Sequence, residues 1–488
     1  MVGGRCFPAT RLVDGVVKLA STVSAFLLAA MVLAVPAAAG TKFVDSVKAL
    51  NAAVGSASPG DEIVLAPGTY KFSRIKIRRH GTKELPITMR AGKRGTVFLK
   101  ATGEVALDVQ ASYWKFEDLD IEGICTNHSW CEHAFHISGL SLGTILRRNV
   151  MHGYNAMIKG NGRPINRDGR KVQVFPSDVL IENNIFYNRE PRKTQKPVNF
   201  INLDGGKRWI IRGNLIADFA KVWGQSAVAF GGYTKGMARD SLFERNLVIC
   251  ELMHHGGIRV GLSFGGGGTG MAYRDDPIGD IENLNGTMRN NIIINCPNDV
   301  GIYVNKGAGT KIYNNTMYNT FGIDVRFVES DALIVNNIIG GGVRERDEGK
   351  ATLENNLVAG TTVGMWLPGT TRYVLRRIEG QDRKFPNYVD KSDVEYVQSL
   401  VRKAIKLVSN TWIGTGNNKL ENIFIDPANG DFGLQDPDDI VDQGIVLPEV
   451  TDDYCGNPRK PPYDLGAIEY SSGGCNPADL IRQILPGN

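Results

Sequence analysis

A short apolar strand with asparagine at a fixed place recurs eight times, and this repeat restricts the possible folds more than any other feature. The copies are ILRRNV, LIENNI, IIRGNL, LFERNL, MRNNII, IYNNTM, IVNNII and LENNLV, and their aligned asparagines are Asn149, Asn184, Asn214, Asn246, Asn291, Asn315, Asn337 and Asn356. A period that tightens to 24, 22 and 19 residues, with longer insertions before it, is typical of a solenoid whose coils stack ~4.8 Å apart. The asparagines are predicted to form a structural ladder in one turn.

A second strand repeats between the asparagine strands, and its alternation predicts which side chains face solvent. Residues such as Phe135, Ile258 and Val304 are expected to point into the coil. The predicted exposed residues form two columns, the first being His136, Met157, Asn202, Ala229, Arg259, Tyr303 and Asp324, and the second Ser138, Lys159, Asp204, Gly231, Gly261, Asn305 and Arg326. A sheet face with these residues suits a hydroxyl-rich, anionic polymer, and the alternative is an ordinary solvated β-surface.

The sequence predicts four segments: a signal peptide at 1–39, a parallel β-helix at 40–360, a helical insertion at 361–415, and C-terminal strands with a closing tail at 416–488. The first segment has a basic start, an apolar run and small residues at 37–40, which is the pattern of an export signal. The apolar run is shorter than the ~20 residues that a membrane helix needs. We therefore expect a secreted or periplasmic protein with no stable membrane span after signal removal.

Two helices are predicted outside the coils. Residues 43–54 have an amphipathic pattern and are expected to cap the first coil, because an open sheet end invites edge pairing. Apolar residues at 394, 397, 401, 405 and 408 have helical spacing within the predicted insertion. The segments FIDPANGDFGLQ and YDLGAIEY in the tail predict a last pair of short strands.

Export changes the interpretation of the cysteines. Cys6 leaves with the signal, and six cysteines remain in an oxidising compartment, where an even number favours disulfides. The pairing predicted here is Cys125–Cys131, Cys250–Cys296 and Cys455–Cys475. Histidines beside the first pair offer zinc ligation as an alternative, although a disulfide is the better interpretation in an exported chain.

Composition limits the classes of partner. Glycine contributes 57 of 488 residues, well above the usual ~7%, and indicates many tight turns. The formal net charge is +5, which is small for this length and argues against a nucleic-acid binder. The expected partner is an anionic polysaccharide, and the protein is expected to be a monomer.

The start GDEIVLAPGTY, the asparagine repeats and the ending GDFGLQ…DLGAIEY resemble secreted right-handed parallel β-helix proteins over most of residues 41–470. The predicted fold class is therefore all-β, a right-handed parallel β-helix with an N-terminal capping helix and a C-terminal extension that contains one helix. Within it, residues 256–342 resemble polysaccharide lyases of the chondroitinase B and alginate lyase type. Those enzymes combine an arginine-bearing strand, a lysine after the next strand and an arginine about one coil later.

The resemblance implies roles for individual residues. Lys306 corresponds to the base, Arg326 to the acid or charge stabiliser, and Arg259 to a substrate-binding residue. The predicted exposed columns add Tyr303, Asn305, His136, Lys159 and Asp324 as substrate-binding residues. The family also implies calcium, for which Asp299 supplies one acidic ligand. Gly301 stands at the second acidic position and Phe327 replaces the family's histidine, so the metal is either not used or the chemistry is altered.

β-Elimination from a uronate glycoside removes a weakly acidic proton beside a carboxylate, and it needs a base, an acid and neutralising cations. Lysine with its ordinary pKa of ~10.4 is a poor base at neutral pH, but a nearby positive charge lowers that pKa. We expect Lys306 and Arg326 to lie roughly 5–8 Å apart on adjacent coils. Two other hypotheses stay open: a glycoside hydrolase or uronate epimerase on the same scaffold, and a non-catalytic carbohydrate-binding protein.

Overall fold

The computed structural model describes residues 39–221, 228–266, 269–270, 273–275, 278–360, 412–415, 420, 422–435, 440–470 and 476–483. In these residues the chain winds through three long sheets in turn, and each strand pairs in parallel with the equivalent strand of the next coil. This arrangement is a parallel β-helix. Both the all-β class and the solenoid architecture predicted from the asparagine repeat are confirmed.

The strands are numbered along the chain and grouped by sheet. The first sheet contains β1 Thr41–Val44, β2 Glu62–Leu65, β5 Ile87–Ala91, β8 Trp114–Glu117, β11 Ile145–Arg147, β16 Leu180–Glu182, β19 Ile210–Arg212, β23 Leu242–Glu244, β27 Thr287–Arg289, β31 Thr310–Tyr313, β34 Asp331–Val335 and β37 Lys350–Glu354. The second contains β4 Ile75–Ile77, β7 Val105–Val109, β10 His133–Ser138, β13 Ala156–Asn161, β18 Asn199–Asp204, β21 Ala229–Lys235, β25 Arg259–Phe264, β29 Ile302–Asn305, β33 Gly322–Arg326 and β36 Gly342–Arg346. The third contains β3 Gly68–Phe72, β6 Val97–Ala101, β9 Asp120–Gly123, β12 Val150–His152, β17 Ile185–Tyr187, β20 Leu215–Ala217, β24 Leu247–Ile249, β28 Ile292–Cys296, β32 Thr316–Thr320, β35 Ile338–Gly340, β38 Leu357–Gly360 and β39 Trp412–Thr415.

Smaller elements decorate the solenoid. The small sheets are the antiparallel pair β14 Arg163–Arg167 and β15 Arg170–Val174, the parallel trio β22 Ala238–Arg239, β26 Asn283–Leu284 and β30 Gly307–Ala308, and the antiparallel pair β40 Phe424–Asp426 and β41 Asp431–Leu434. The helices are α1 Val47–Gly55 and α2 Ala478–Ile481, with 3-10 turns at His128–Trp130 and Pro427–Asn429. Among the described residues, no helix combines the length and apolar character needed to cross a membrane.

The asparagine ladder lies in the turn between the first and third sheets. From Asn149 to Asn356, each Nδ2 donates to the Oδ1 of the next asparagine at 2.9–3.0 Å. The same oxygen also accepts the backbone N–H of the preceding asparagine. The residue before each ladder asparagine has a positive φ of 50–62°, a conformation that asparagine and glycine tolerate best. This explains the doubled asparagines in the sequence and confirms the predicted ladder.

The N-terminal helix begins later than expected. Ser46 caps it by accepting the backbone N–H of Ala49 at 3.2 Å, so α1 starts at Val47. The preceding residues form β1, the first strand of the first sheet. Leu50 and Val54 of α1 are buried in the core of the first coils, which agrees with the capping role.

The three sheets differ in what covers them. The outer face of the third sheet packs against Phe424, Phe432, Leu465 and Ile468 of the C-terminal segment. That segment also hydrogen-bonds to the outer asparagines of the ladder turn: the Nδ2 of Asn314 donates to the Asp464 carbonyl at 3.1 Å. The second sheet instead presents columns of polar side chains, and these define the candidate site.

Two of the predicted disulfides are present, Cys125–Cys131 and Cys250–Cys296. Cys455 is also in a disulfide, while Cys475 lies outside the described residues. The predicted signal peptide lies outside them as well, apart from residue 39. So does the predicted helical insertion at 361–415, except for residues 412–415. Those four form β39, which follows the apolar pattern at 394–408 that predicts the helix.

Candidate functional site

The polar columns of the second sheet follow from strand register. The first column contains Asp108, His136, Lys159, Asn202, Tyr233, Ser263, Tyr303, Asp324 and Arg344. The second contains Ser138, Asn161, Asp204 and Lys235 and, further along, Asn305, Arg326 and Arg346. Most of the predicted groove residues therefore share one sheet face.

Arg259 does not lie on that face, and its predicted exposure is wrong. Its side chain is only 2% exposed, and its guanidinium donates to the carbonyls of Gly256 and Cys250. Ile258, expected inside, is 45% exposed. The register pairs Ser263, not Arg259, with Tyr303. Because Arg259 begins β25 at the corner of the coil, simple alternation gives the wrong direction there.

Two other predicted column members are also buried. Met157 and Ala229 pack in the core, and Lys159 takes the place in the first column that was assigned to Met157. Both residues stand at or next to the beginning of their strands. At the start of β13 the consecutive side chains of Met157 and Ile158 both lie in the core, whereas Ala229 lies in the core between Val228 and Phe230, which line the outer face.

A cavity of about 160 Å³ opens on the second sheet near its C-terminal end. Its lining comprises Val228, Phe230, Val260, Asp299, Tyr303, Asp324, Arg326 and Arg346. Four of these, Asp299, Tyr303, Asp324 and Arg326, are predicted site residues that the fold brings together. Lys306 is not among the described residues that line this cavity.

Tyr303 is the polar centre of the cavity. Its hydroxyl oxygen accepts hydrogen bonds from Arg326 at 3.4 Å and from Asn305 Nδ2 at 3.2 Å. Burial raises the pKa of Tyr303, although the neighbouring Arg326 acts in the opposite direction. The phenol therefore keeps its proton at neutral pH, and that proton is available to a ligand.

Asp324 organises the arginines beneath and beside the cavity. It accepts hydrogen bonds from Arg344 Nη2 and Arg346 Nη1, both at 2.6 Å. Asp324 and Arg344 are almost completely buried, whereas the side chain of Arg346 is 26% exposed. The Nε of Arg346 and the Oδ1 of Asn305 are buried without a hydrogen-bond partner. A donor and an acceptor thus stay unused around the cavity.

Asp299 was predicted as a possible calcium ligand, and its surroundings do not fit that ion. Calcium takes six to eight oxygen ligands, but Asp324, which shares the cavity, is held by two arginines. No group of three acidic, histidine or cysteine side chains converges anywhere in the described part of the chain. Burial, with a smaller contribution from Asp324, raises the pKa of Asp299.

Lys306 follows β29 with a φ of +61°. The strand therefore ends at Asn305, and the side chain of Lys306 lies outside the core, 22% exposed. Its Nζ lies 3.0 Å from Asp280 and 3.5 Å from Glu329. Partial burial disfavours the charged ammonium, but these carboxylates outweigh that effect and raise the pKa of Lys306. The expectation that neighbouring positive charge lowers this pKa is wrong. Lys306 and Arg326 both contact the ring of Phe327, at 5.5 and 4.5 Å from its centroid.

A second polar cluster lies further toward the N-terminal end of the same face. Lys159 bonds to Asp204 and donates to Asn202 at 2.8 Å, and Lys235 lies 3.5 Å from Asp204. Burial is the main cause of a lowered pKa for Lys159, and Lys235 adds to it. His136 lies beside Lys159, with its Nε2 at 2.5 Å from the Oδ1 of Asn161, and burial lowers its pKa.

Arg344, Arg346 and Lys235 were missed by the sequence analysis. A signal for the first two exists, because GGVRER at 341–346 repeats the pattern of GIDVR one coil later. Lys235 was missed because the predicted columns take Ala229 and Gly231 from this strand and nothing beyond them, whereas β21 runs on to Lys235.

Comparison with known proteins agrees with this architecture. A family model described as chondroitinase B matches residues 44–159, and one described as right handed beta helix region matches residues 264–377. The described fold and these matches together define a right-handed parallel β-helix protein. A search of curated proteins returned no match.

Several solved structures are similar to this chain. Alginate lyase from Paenibacillus sp. str. FPU-7 has 17% identity and a TM-score of 0.38, over 65% of this chain and 94% of that one. A PL6 family polysaccharide lyase from Pseudopedobacter saltans has 18% identity and a TM-score of 0.40, over 65% and 83%. Pectate lyase Pel9A has 14% identity and a TM-score of 0.49, over 86% and 90%.

Proposed function

We propose that the protein is a polysaccharide lyase that cleaves a uronate-containing polymer by β-elimination at the cavity of the second sheet. The observation that carries this proposal is the convergence of Tyr303, Arg326 and Arg346 on one cavity. The match of residues 44–159 to chondroitinase B supports the class of enzyme. It does not include the cavity residues, so their roles rest on geometry.

The arginines would neutralise the carboxylate of the uronate. Removing the proton beside that group places negative charge on its oxygens, and fixed cations stabilise such charge best where water is scarce. A guanidinium also matches a carboxylate in shape and forms paired hydrogen bonds with it. Arg346, anchored by Asp324, presents a buried Nε without a partner.

Tyr303 would act as the acid. Arg326 and Asn305 both donate to its oxygen, so the phenolic proton is free to pass to the leaving glycosidic oxygen. A raised pKa suits this role because the group is protonated before reaction.

Lys306 would act as the base, as the family resemblance implies. It follows Asn305 directly and shares the Phe327 ring with Arg326. Its pairing with Asp280 and Glu329 must be disturbed by substrate or by alkaline pH before its nitrogen can accept a proton. Asp299 is the competing base, because its half-buried carboxylate lines the cavity itself.

A glycoside hydrolase is the second candidate, since Asp299 and Asp324 line the same cavity. Hydrolysis needs two carboxyl groups that flank the bond, one as acid and one as nucleophile or base. Asp324 is 1% exposed and bonded to two arginines, which makes it a poor nucleophile. The geometry therefore favours elimination.

We also propose that the protein is secreted and binds an anionic polysaccharide as a monomer. The two disulfides support an oxidising compartment.

The test is turnover of alginate, pectate and glycosaminoglycans by the purified chain. Elimination produces new reducing ends together with the ultraviolet absorbance of an unsaturated uronate. Tyr303→Phe should lower kcat by about 100-fold or more, while Tyr470→Phe, on an exposed residue, should not. Reducing ends without the absorbance would indicate a hydrolase, and binding without either product would indicate a non-catalytic protein.

A further inference from the structure

A cavity of about 330 Å³ lies at the turn between the first and third sheets, where the asparagine ladder runs. Its lining comprises Glu182, Asn183, Arg212, Gly213, Arg245, Tyr454 and Cys455. The solenoid supplies the first five of these residues, and the C-terminal segment supplies the last two. We call this space the ladder-turn cavity. Its volume falls within the range of small-molecule sites, which begins at roughly 300 Å³, and far exceeds the ~30 Å³ of one water.

A single glycine opens the ladder-turn cavity. The residues before the eight ladder asparagines form one column on the outside of the turn. Seven of them carry a side chain, namely Arg148, Asn183, Arg245, Asn290, Asn314, Asn336 and Asn355. The eighth is Gly213, whose φ of +62° belongs to the same range as the rest of the column. Because asparagine adopts this conformation too, the backbone does not require glycine, and the effect of Gly213 is to leave the side-chain space empty.

The C-terminal segment covers the outer column up to this point and no further. The Asp452 carbonyl accepts a hydrogen bond from Asn290 Nδ2 at 2.6 Å, and its carboxylate pairs with Arg245 at 3.0 Å. Among the described residues, no hydrogen bond or ion pair joins the segment to Gly213 or Asn183, the next members of the column. The ladder-turn cavity is therefore the gap between the last covered coil and the uncovered part of the turn.

Neutral groups that can both donate and accept hydrogen bonds line this gap. Tyr454 is only 8% exposed, and its hydroxyl makes no hydrogen bond to any residue that the structure describes. The side-chain amide of Asn183 likewise has no partner in the described part of the chain. The two arginines differ, because carboxylates already hold both Arg212 and Arg245. The unmet hydrogen bonds of the cavity are therefore those of a phenol and an amide.

We propose that the ladder-turn cavity binds a hydroxyl-rich ligand the size of one sugar unit, held between the solenoid and the C-terminal segment. A hydroxyl group donates and accepts, so a sugar ring can satisfy the phenol and the amide together. An apolar ligand would leave both groups buried without hydrogen bonds, and a free anion would compete with the carboxylates that hold the arginines. The site is separate from the cavity of the second sheet, and the inference does not depend on the proposed lyase activity.

The test titrates the full chain with glucose, galactose, glucuronate and galacturonate, and saturation-transfer NMR measures the affinity. At least one of these sugars should bind. Tyr454→Phe should weaken that sugar about threefold to tenfold, the loss expected for one neutral hydrogen bond. Gly213→Asn should abolish its binding, because the new side chain fills the space that the other coils fill. A Cβ at Gly213 would lie against the Oδ1 of Asn183, the end of an exposed side chain that can rotate away.

Gly95→Asn is the matched control and should leave the affinity unchanged. Gly95 also has a positive φ, +77°, and a Cβ there meets no atom within 4 Å. Thermal unfolding identifies any variant that fails to fold, and Tyr454→Phe decides the matter if Gly213→Asn is one of them.

Failure of all four sugars to bind would overturn the site, as would unchanged affinity in Gly213→Asn or in Tyr454→Phe. Binding that is lost in Tyr303→Phe but kept in Gly213→Asn would place the sugar in the cavity of the second sheet and contradict the proposal. Displacement of the bound sugar by inorganic sulfate would also contradict it, because the occupant would then be an anion.

Discussion

At the scale of single residues, the ionisation of Lys306 decides whether it can accept a proton. Asp280 and Glu329 stabilise its ammonium form, and Asp280 makes the shorter contact. Lys159 has the opposite environment, because burial removes water from an ammonium that already neighbours Lys235. Two lysines on or beside the same sheet therefore have pKa values displaced in opposite directions.

Removing the charge of Asp280 should change the pH dependence of activity. If Lys306 is the base, only its neutral form reacts, so kcat/KM rises as pH increases toward the pKa of Lys306. Asp280→Asn removes a negative charge that raises this pKa, which lowers the pKa and moves the rising limb to lower pH. The measurement is kcat/KM against pH.

Asp178→Asn, in an exposed ion pair with Arg208, is the matched control and should leave the limb in place. If the rise of kcat/KM with pH is unaffected by Asp280→Asn but lost in Asp299→Asn, the base that accepts the proton is Asp299 and not Lys306.

At the scale of elements, the asparagine turn was predictable and the strand corners were not. Each ladder asparagine follows a residue with positive φ and has buried backbone partners. Both requirements limit which residues can stand in the turn, so the asparagine repeat can be recognised in the sequence. A strand corner restricts the residue type less, because either an apolar side chain in the core or a charged side chain with hydrogen-bond partners can occupy it. Arg259 satisfies its corner by donating to backbone carbonyls, and nothing in its sequence neighbourhood distinguishes this from exposure.

The cavity was predictable only in part, for the same reason. Tyr303, Asp324 and Arg326 were found because they follow regular alternation in the middle or at the end of their strands. The ion pairs of Lys306 were not, because Asp280 belongs to a loop whose position depends on tertiary packing.

The ladder should be sensitive to loss of an interior member. Asn291 donates to Asn315 Oδ1 and the Phe243 carbonyl, both at 2.9 Å, and accepts two bonds from Asn246. Asn291→Ala leaves these buried groups without partners, and we expect a loss of about 2–4 kcal/mol in the free energy of unfolding. Chemical denaturation measures it.

Asn298→Ala is the control, because Asn298 is exposed and makes a single bond to the Gly257 carbonyl at 3.2 Å. Its cost should be below about 0.5 kcal/mol. Equal stability of the two variants would show that the ladder contributes no more than a surface asparagine.

At the scale of the whole molecule, the solenoid separates support from recognition by sheet. The third sheet is covered by the C-terminal segment, the first has a column that alternates arginine with glutamate, and the second carries the polar columns and the cavity. A change in the C-terminal cover should therefore alter stability without changing the chemistry of the cavity.

Arg459 offers the test of this separation. Its buried guanidinium bonds to Glu469, to the Asn290 Oδ1 at 3.0 Å and to the Gly466 carbonyl at 2.8 Å, so it joins the C-terminal segment to the ladder turn. Arg459→Ala leaves Glu469 half-buried without this partner, and we expect a loss of about 3–5 kcal/mol. Hydrogen exchange should show weaker protection in residues 440–470 and in the third-sheet strands that they cover.

Arg482→Ala removes an exposed arginine paired with Asp479 and should cost no more than about 1 kcal/mol. At a temperature where Arg459→Ala is still folded, its kcat/KM on the accepted polymer should equal that of the unmodified chain. Among the described residues, none that lines the cavity of the second sheet contacts Arg459. A fall in kcat/KM with no change in hydrogen exchange would mean that the C-terminal segment acts on the second sheet directly. The proposal that the sheets separate support from recognition would then be wrong.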